Sequence, residues 1–227
     1  MLGVRRSLVG HPATARPLLI TANHSSWLDI VVLGAALPVC FVAKSEVGAW
    51  PGVGFLARLS RTIFVDRARR TATRHTTEEM GAAMARGEAV VLFAEGTSSD
   101  HNRVLPFRSA LIGAARQAGA GSDIVWVQPV AIAYPARGGL PLLRRERPSV
   151  AWYGGMTLPG HLWAMLMRGG PEAVISFGAP IPVDATTDRK QVALNAEAEV
   201  RAMTRAAQRG WRRGAATGTL LLGAQTG

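Results

Sequence analysis

The chain has 227 residues, a length that fits one domain with a sizeable core or at most two small domains. Its single cysteine, Cys40, excludes an intramolecular disulfide, a cysteine-based zinc cluster and a Cys-x-x-Cys redox motif. Apolar residues make up 48% of the chain, and 26 basic residues against 15 acidic ones give a formal net charge of +11. Such a chain can pack a core, and it attracts anions: nucleic acid, an anionic membrane surface or phosphorylated small molecules.

The sequence predicts neither a secretory signal nor a membrane span. Met1–Arg6 contains two arginines, but the continuous apolar stretch of a signal peptide does not follow them. The uncharged run between Asp29 and Lys44 has 14 residues, fewer than the roughly 20 that cross a bilayer as a helix. We therefore expect any membrane contact to be peripheral.

Between the ends of the chain, short runs rich in Val, Ile and Phe alternate with helical patterns. The predicted strands are Leu18–Ala22, Cys40–Ala43, Thr62–Val65, Ala89–Phe93, Ile124–Tyr134, Val150–Tyr153 and Val174–Phe177. The predicted helices are Trp27–Ala36, Gly52–Leu59, Ala72–Arg86, Arg108–Ala118, Leu158–Met167 and Arg189–Arg209. This alternation predicts an α/β fold with a mixed, mostly parallel sheet covered by helices.

We expect a single domain over residues 1–209 and a flexible C-terminal tail over residues 210–227, because the tail has few groups able to pack. Within the domain, Leu158–Arg168 is apolar and aromatic and ends in a cation. Two interpretations of this segment remain open: an ordinary core helix, or an amphipathic helix at a membrane interface.

The first candidate site lies where the first predicted strand gives way to a helix, in Asn23-His24-Ser25-Ser26-Trp27-Leu28-Asp29. A histidine and an aspartate five positions apart can be bridged if the chain between them turns into a helix. The carboxylate then holds the imidazole in one tautomer, and the other ring nitrogen can take a proton from a hydroxyl. From the pair alone, a locally packed His24 and a solvated Asp29 remain the alternative.

Two further polar stretches follow predicted strands. Phe93–Ser99 contains a glycine that permits a tight turn and three hydroxyl side chains, a combination that suits an anion or oriented oxygen atoms. Arg61–Arg67 ends in Asp66-Arg67, and an arginine at a strand end can offer a bidentate fork to phosphate or carboxylate. The alternatives are a plain polar turn and a solvated basic edge.

Taken in their order along the chain, these stretches resemble the signature of the lysophosphatidic acid acyltransferase family, which comprises glycerolipid acyltransferases. That signature is Asn-His-x-x-x-x-Asp, a strand ending in Asp-Arg or Pro-Arg, Phe-Pro-Glu-Gly-Thr-Arg, and a strand of the Val-Pro-Val type. The corresponding motifs in this chain are Asn23–Asp29, Ile63–Arg67, Phe93–Ser98 and Val127–Ile132. The resemblance implies a single-domain α/β fold of the glycerolipid acyltransferase type.

The resemblance also implies an O-acyltransferase that moves a fatty acyl group from acyl coenzyme A or acyl carrier protein to the hydroxyl of a lysolipid. It implies His24 as the general base and Asp29 as its orienting partner, with no metal and no cofactor. The residues implied to contact the acceptor or a nearby anion are Lys44, Arg67, Glu95, Gly96 and Thr97.

The third motif departs from the family signature, because Ala94 replaces the usual proline and Ser98 the usual arginine. That arginine is expected to hold an acceptor phosphate, and a serine supplies neither the charge nor the fork. Either Arg103 or Arg108 compensates, or the acceptor carries no phosphate. The stretch from Phe93 onward resembles the branch that acylates lyso-ornithine lipid, a phosphate-free aminolipid of bacteria, so both acceptors remain open.

Many proteins of this family carry a hydrophobic segment before the catalytic histidine, whereas 23 residues precede His24 here. Either this chain docks on the membrane through its surface, or its sequence is part of a longer protein. We expect a peripheral protein at the cytoplasmic face of the membrane. The rival hypotheses are a noncatalytic lipid-binding protein and a nucleic-acid-binding protein; the second is disfavoured because aromatic residues make up only 6% of the chain and no recognisable nucleic-acid motif appears.

Overall fold

A computed structural model describes residues 3–44, 48, 62–65, 70–118 and 123–217. Within these residues the strands are β1 (Arg5–Val9), β2 (Leu18–Ala22), β3 (Val39–Lys44), β4 (Ile63–Val65), β5 (Ala89–Phe93), β6 (Val125–Arg137), β7 (Leu140–Pro141), β8 (Pro171–Phe177) and β9 (Ile181–Val183). The helices are α1 (Leu28–Gly34), α2 (Arg70–Ala85), α3 (Ser109–Ala118), α4 (Leu158–Arg168) and α5 (Arg189–Thr217), with a short 3-10 helix at Arg147–Ser149.

The described strands form one sheet in the order β1-β8-β6-β2-β5-β3-β4, and β7 and β9 also pair with β6. Five pairings are parallel and three are antiparallel, which confirms the predicted mixed, mostly parallel sheet. Strands β2, β5, β3 and β4 are mutually parallel. Their carboxyl ends therefore lie at one edge of the sheet.

Helices cover both faces of the sheet because its central strands are apolar on both sides. Every residue of β2 and β5 is buried. Leu19 packs in a cluster with residues of α2, α3 and α5, whereas Leu18 and Ile20 pack in a second cluster with residues of α1 and α4. The alternation follows the two-residue period of a strand, and it places α1, which carries part of the site, on a fixed face.

The predicted strand Val150–Tyr153 is wrong. Val150 caps the 3-10 helix, and the following residues belong to no strand of the described sheet. Val150 belongs to the second core cluster, and Ala151 is also buried. The backbone N–H of Trp152 donates to the carbonyl of Ser25 at 2.7 Å. The segment is apolar because a loop, rather than a strand, is packed into the interior.

The other differences lie at the edges of the sheet and in the last helix. Strands β1, β7 and β9 were not predicted; β1 is exposed at every position, so it lacks the apolar alternation of a half-buried strand. Helix α5 extends to Thr217, past the predicted boundary at residue 209. The predicted helix Gly52–Leu59 lies outside the described residues. Of the helices in the described ranges, none combines the length and hydropathy needed to cross a bilayer.

Candidate active site

The loop after β2 is fixed to the neighbouring strand β6 by Asn23. Its side chain is buried; it donates to the carbonyl of Ile132 at 2.9 Å and accepts the N–H of the same residue at 2.8 Å. This two-point contact replaces the backbone ladder just where β2 ends. It therefore sets the position from which His24, the next residue, leaves the sheet.

His24 and Asp29 form a hydrogen-bonded pair, which is one of the two arrangements that their spacing left open. Nδ1 of His24 lies 2.9 Å from Oδ2 of Asp29, and the side chains are 20% and 0% exposed. The same Oδ2 accepts the backbone N–H groups of Ser25 at 2.7 Å and Ser26 at 2.9 Å. The other oxygen, Oδ1, accepts the hydroxyl of Tyr134 at 2.7 Å. With a carboxylate acceptor at Nδ1, the imidazole carries its proton there and presents Nε2 as an acceptor.

The His24 ring is also held by stacking. It lies on the ring of Phe93 with centroids 4.1 Å apart and planes 21° from parallel, and Phe93 in turn stacks with Phe41 at 6.3 Å. The hydrogen bond and the stacked face together restrict both rotation and tilt of the imidazole. The partly exposed imidazole is therefore held in one orientation by buried neighbours.

Glu95, in the loop after β5, is hydrogen-bonded to the loop after β2. Its side chain is buried, and Oε1 accepts the backbone N–H of His24 at 3.2 Å. Burial raises the pKa of Glu95 to about 8, against the lowering effect of the backbone N–H groups of His24 and Leu105. At neutral pH this carboxyl is mostly protonated, so it fixes the backbone without adding a second negative charge beside Asp29.

The turn that follows β5 lies against the His24 loop. Gly96 has φ 72, a left-handed conformation that favours glycine, and its N–H donates to the carbonyl of Phe93 at 3.0 Å. The N–H of Ser99 donates to the carbonyl of His24 at 2.9 Å. Thr97 is exposed at the tip of the turn. The structure thus joins the turn to the His24 loop through Glu95 and Ser99; the acceptor contacts of Glu95, Gly96 and Thr97 stay predictions.

The two arginines proposed to compensate for Ser98 occupy different places. Arg103 is exposed and lies near Asp100. Burial raises the pKa of Asp100, but hydrogen bonds from Asn102 and the charge of Arg103 outweigh this effect, and the pKa is lowered. Arg108 instead lies over the turn, with Nε and Cδ at 3.0 and 3.1 Å from the position that a Cβ on Gly96 would take. Of the two, Arg108 is the one placed against the turn.

Lys44 and Arg67 are the remaining sequence candidates. Lys44 is the last residue of β3, at the same sheet edge as the ends of β2 and β5. Arg67 lies outside the described residues; β4 ends at Val65. Their roles stay predictions.

A buried histidine that sequence reasoning missed supports the site. His101 has φ 64; its Nε2 accepts the backbone N–H of Tyr134 at 2.9 Å, and its Nδ1 lies 3.1 Å from the hydroxyl of Ser25. Because Nε2 accepts, Nδ1 carries the proton and donates to Ser25. Burial lowers the pKa of His101 to about 4, so the ring stays neutral and the bonds persist at physiological pH. The sequence signal was weak, since 76 residues separate His101 from Ser25.

Other reactive groups in the described ranges do not form a competing site. Burial raises the pKa of Cys40 to about 11, so its thiol stays protonated at neutral pH and is a poor nucleophile. No set of three or more His, Cys, Asp or Glu side chains in the described part of the chain is arranged to hold a metal ion.

Comparison with known proteins gives consistent matches. The family model described as Acyltransferase matches residues 7–133. Over 209 residues, the chain is 49% identical to the lyso-ornithine lipid O-acyltransferase of Brucella abortus (strain 2308), covering 91% of this chain and 78% of that protein. It is 32% identical over 197 residues to the 1-acyl-sn-glycerol-3-phosphate acyltransferase of Neisseria gonorrhoeae, covering 86% and 73%.

A solved structure shares the fold. The crystal structure of the 1-acyl-sn-glycerophosphate (LPA) acyltransferase PlsC from Thermotoga maritima matches with a TM-score of 0.58 and 24% identity, covering 93% of this chain and 73% of that one. At this identity the likeness concerns the fold alone.

Proposed function

Because this chain belongs to the Acyltransferase family, as its motifs indicated, we propose that it transfers a fatty acyl group from an acyl thioester to the hydroxyl of a lysolipid. Lyso-ornithine lipid is the favoured acceptor, and lysophosphatidic acid is the alternative. The observation that carries the proposal is the His24–Asp29 pair, in which Nδ1 is bound to a buried carboxylate at 2.9 Å. This leaves Nε2 free to take a proton.

In the proposed reaction, Nε2 of His24 removes the proton of the acceptor hydroxyl as its oxygen attacks the carbonyl carbon of the thioester. The tetrahedral oxyanion collapses, the carbon–sulfur bond breaks, and the departing thiolate takes the proton from the imidazolium. The products are an ester and a free thiol, so charge and protons balance. The thioester is carried on coenzyme A or acyl carrier protein, and the transfer is direct, without an acyl-enzyme.

Asp29 has two tasks in this scheme. It fixes the tautomer of His24 through Oδ2, and its negative charge stabilises the imidazolium that forms during attack. The Tyr134 hydroxyl and the N–H groups of Ser25 and Ser26 hold the carboxylate in place. Asp29 is therefore ready for the charged state of the base without reorganisation.

The acceptor is proposed to lie over the turn formed by Glu95, Gly96 and Thr97, with Lys44 and Arg67 supplying cations from the ends of β3 and β4. Support comes from topology, because β3, β4 and β5 run parallel. Their carboxyl ends share the sheet edge at which His24 is presented.

We assign contact with the membrane surface to α4, the segment for which the sequence left two interpretations. His161 and Met165 are its buried residues, whereas Trp163 is 66% and Met167 is 70% exposed. A partly buried helix with an exposed apolar face that ends in Arg168 suits the surface of an anionic bilayer. We propose on this basis that the protein acts peripherally, and we place it at the cytoplasmic face as expected from the sequence.

Helix α4 also contacts the catalytic loop. The indole N–H of Trp27, in the loop that carries His24, donates to Nδ1 of His161 at 3.0 Å. A helix seated in the headgroup region would thus hold the base close to the membrane surface, where a lysolipid acceptor is found.

The test is an acylation assay with purified protein. Radiolabelled acyl-CoA and acyl carrier protein are offered separately with lyso-ornithine lipid and with lysophosphatidic acid in mixed micelles. We expect product with at least one acceptor, its loss by more than about a hundredfold in His24→Ala, and near-normal activity in the control His11→Ala, whose side chain is exposed. Failure to acylate either lysolipid, or an active His24→Ala protein, would contradict the proposal; binding of anionic liposomes without acylation would favour the noncatalytic alternative.

A further inference from the structure

Arg108 lies against the turn at Gly96, which is expected to face the acceptor. Nε, Cδ and Cζ of Arg108 lie 3.0, 3.1 and 3.4 Å from the point that a Cβ on Gly96 would occupy. The guanidinium can approach so closely only because residue 96 has no side chain. The missing cation at Ser98 is thus matched by a cation that reaches the same turn from another part of the chain.

Helix α5 fixes the backbone that presents this arginine. The N–H of Phe107, a buried residue, donates to Oε2 of Glu197 at 3.1 Å, and the carbonyl of Val104 accepts from Arg201 at 3.2 Å. Glu197 and Arg201 also pair with each other.

The backbone of Arg108 is held on its other side by the turn itself. Its N–H donates to the carbonyl of Ala94 at 2.9 Å. Arg108 therefore leaves a rigid segment, although its own side chain is exposed. Because the backbone of Arg108 is already fixed, less conformational entropy is lost when its guanidinium binds a ligand.

The charge of Arg108 is available to a ligand. Among the described residues, no carboxylate forms an ion pair with it. Glu95, which precedes the glycine beneath the guanidinium, has its pKa raised by burial to about 8 and so is mostly uncharged at neutral pH. A guanidinium that has no ion-pair partner among the described residues offers its fork to a planar anion at this turn.

We propose that Arg108 is the specificity-determining residue of the acceptor site and that it binds the carboxylate of an amino-acid head group. This inference rests on the proposed function. An ornithine head group that is amide-linked through its α-nitrogen keeps one free carboxylate, whose two oxygens match the guanidinium fork. A phosphomonoester carries nearly two negative charges at neutral pH, and Ser98 offers it no second fork at this turn.

The test compares three acceptors: lyso-ornithine lipid, its carboxyl methyl ester and lysophosphatidic acid. The wild-type protein is expected to use the free acid about tenfold better in kcat/KM than the ester, the size of one charge-assisted hydrogen bond. Arg108→Gln is expected to lose that preference, mainly through KM for the free acid, while kcat/KM for the ester stays within about threefold. Arg108→Lys keeps the charge without the fork and should recover part of the preference.

Two further variants sharpen the result. Arg116→Gln removes the same charge from the last turn of α3 and should leave the acid-to-ester ratio unchanged. If Arg103→Gln abolishes the ratio and Arg108→Gln keeps it, the assignment of Arg108 is wrong. An equal loss on acid and ester in Arg108→Gln would also overturn it, because it would indicate a general structural effect.

The wild-type measurements separate the two proposals. A wild-type protein that acylates acid and ester equally overturns this inference alone. One that acylates none of the three acceptors overturns the proposed function together with it.

Discussion

Replacing Asp29 by asparagine would remove the negative charge beside His24 while keeping the shape of the side chain. The surrounding donors dictate how the amide must sit. The oxygen at the Oδ2 position accepts from Nδ1 of His24 and from two backbone N–H groups, so an NH₂ group there would face three donors. The amide therefore turns its oxygen to that position and its NH₂ to the Tyr134 hydroxyl, which can accept instead of donating.

With this orientation His24 keeps its tautomer, and only the charge is lost. Loss of a carboxylate partner destabilises a protonated imidazole by about 1.4–4 kcal/mol. Because the imidazolium forms during attack, kcat/KM should fall by about tenfold to a thousandfold in Asp29→Asn. The assay is initial-rate acylation of lyso-ornithine lipid at pH 7.5, with Asp123→Asn, at an exposed position, as the matched control.

Stability distinguishes this variant from a merely damaged one. Asp29→Ala leaves the same N–H groups and the Tyr134 hydroxyl without an acceptor in a buried place, at a cost of about 1–3 kcal/mol for each unsatisfied group. Asp29→Asn should therefore melt well above Asp29→Ala. A folded Asp29→Asn protein with activity within about threefold of wild type would refute the role of the charge.

Two further predictions concern Glu95 and α4. The pKa of Glu95 is raised to about 8 from an ordinary value of 4.5, so its contribution to folding stability is greatest below pH 4.5 and falls as the pH rises toward about 8. Because glutamine cannot ionise, the stability of Glu95→Gln in urea unfolding should lack this decline. Parallel curves of stability against pH for the two proteins would contradict the prediction. Trp163→Glu should weaken binding to anionic vesicles, measured by sedimentation, by about tenfold or more, since insertion of a large apolar side chain contributes about 1.5–3 kcal/mol. Leu194→Glu, at a position on α5 that is 59% exposed, is the control. Equal weakening by both substitutions would argue against membrane contact through α4.

Contiguous residues made part of the site predictable. Asn23, His24 and Asp29 lie within one strand-to-helix junction, so local geometry alone brings the pair together. Glu95 was assigned to the same site by the family resemblance, and the physical reason for its position is that parallel strands end at a common edge. Tyr134 could not be placed, since its contact with Asp29 spans 105 residues and depends on how far β6 runs past β2.

The fold shows the same division between local pattern and long-range packing. The buried strands β2 and β5 were predicted because their apolar runs are continuous. Strand β1 was not, because an exposed edge strand needs no apolar period. Val150 and Ala151 misled the prediction because burial of a loop produces the same composition as burial of a strand, and only the pairing partner tells them apart.

The two buried carboxyl groups beside His24 are treated oppositely by their surroundings. Asp29 receives donors at both oxygens, which compensate a negative charge without bulk water. Glu95 accepts the backbone N–H of His24 with one oxygen, and burial raises its pKa to about 8 despite the lowering effect of the backbone N–H groups of His24 and Leu105. The carboxyl group that is hydrogen-bonded to the imidazole is therefore the one whose oxygens are both supplied with donors. In the proposed reaction Asp29 would stabilise the imidazolium, whereas the buried and mostly protonated Glu95 would add no charge that opposes an anionic head group held by Arg108.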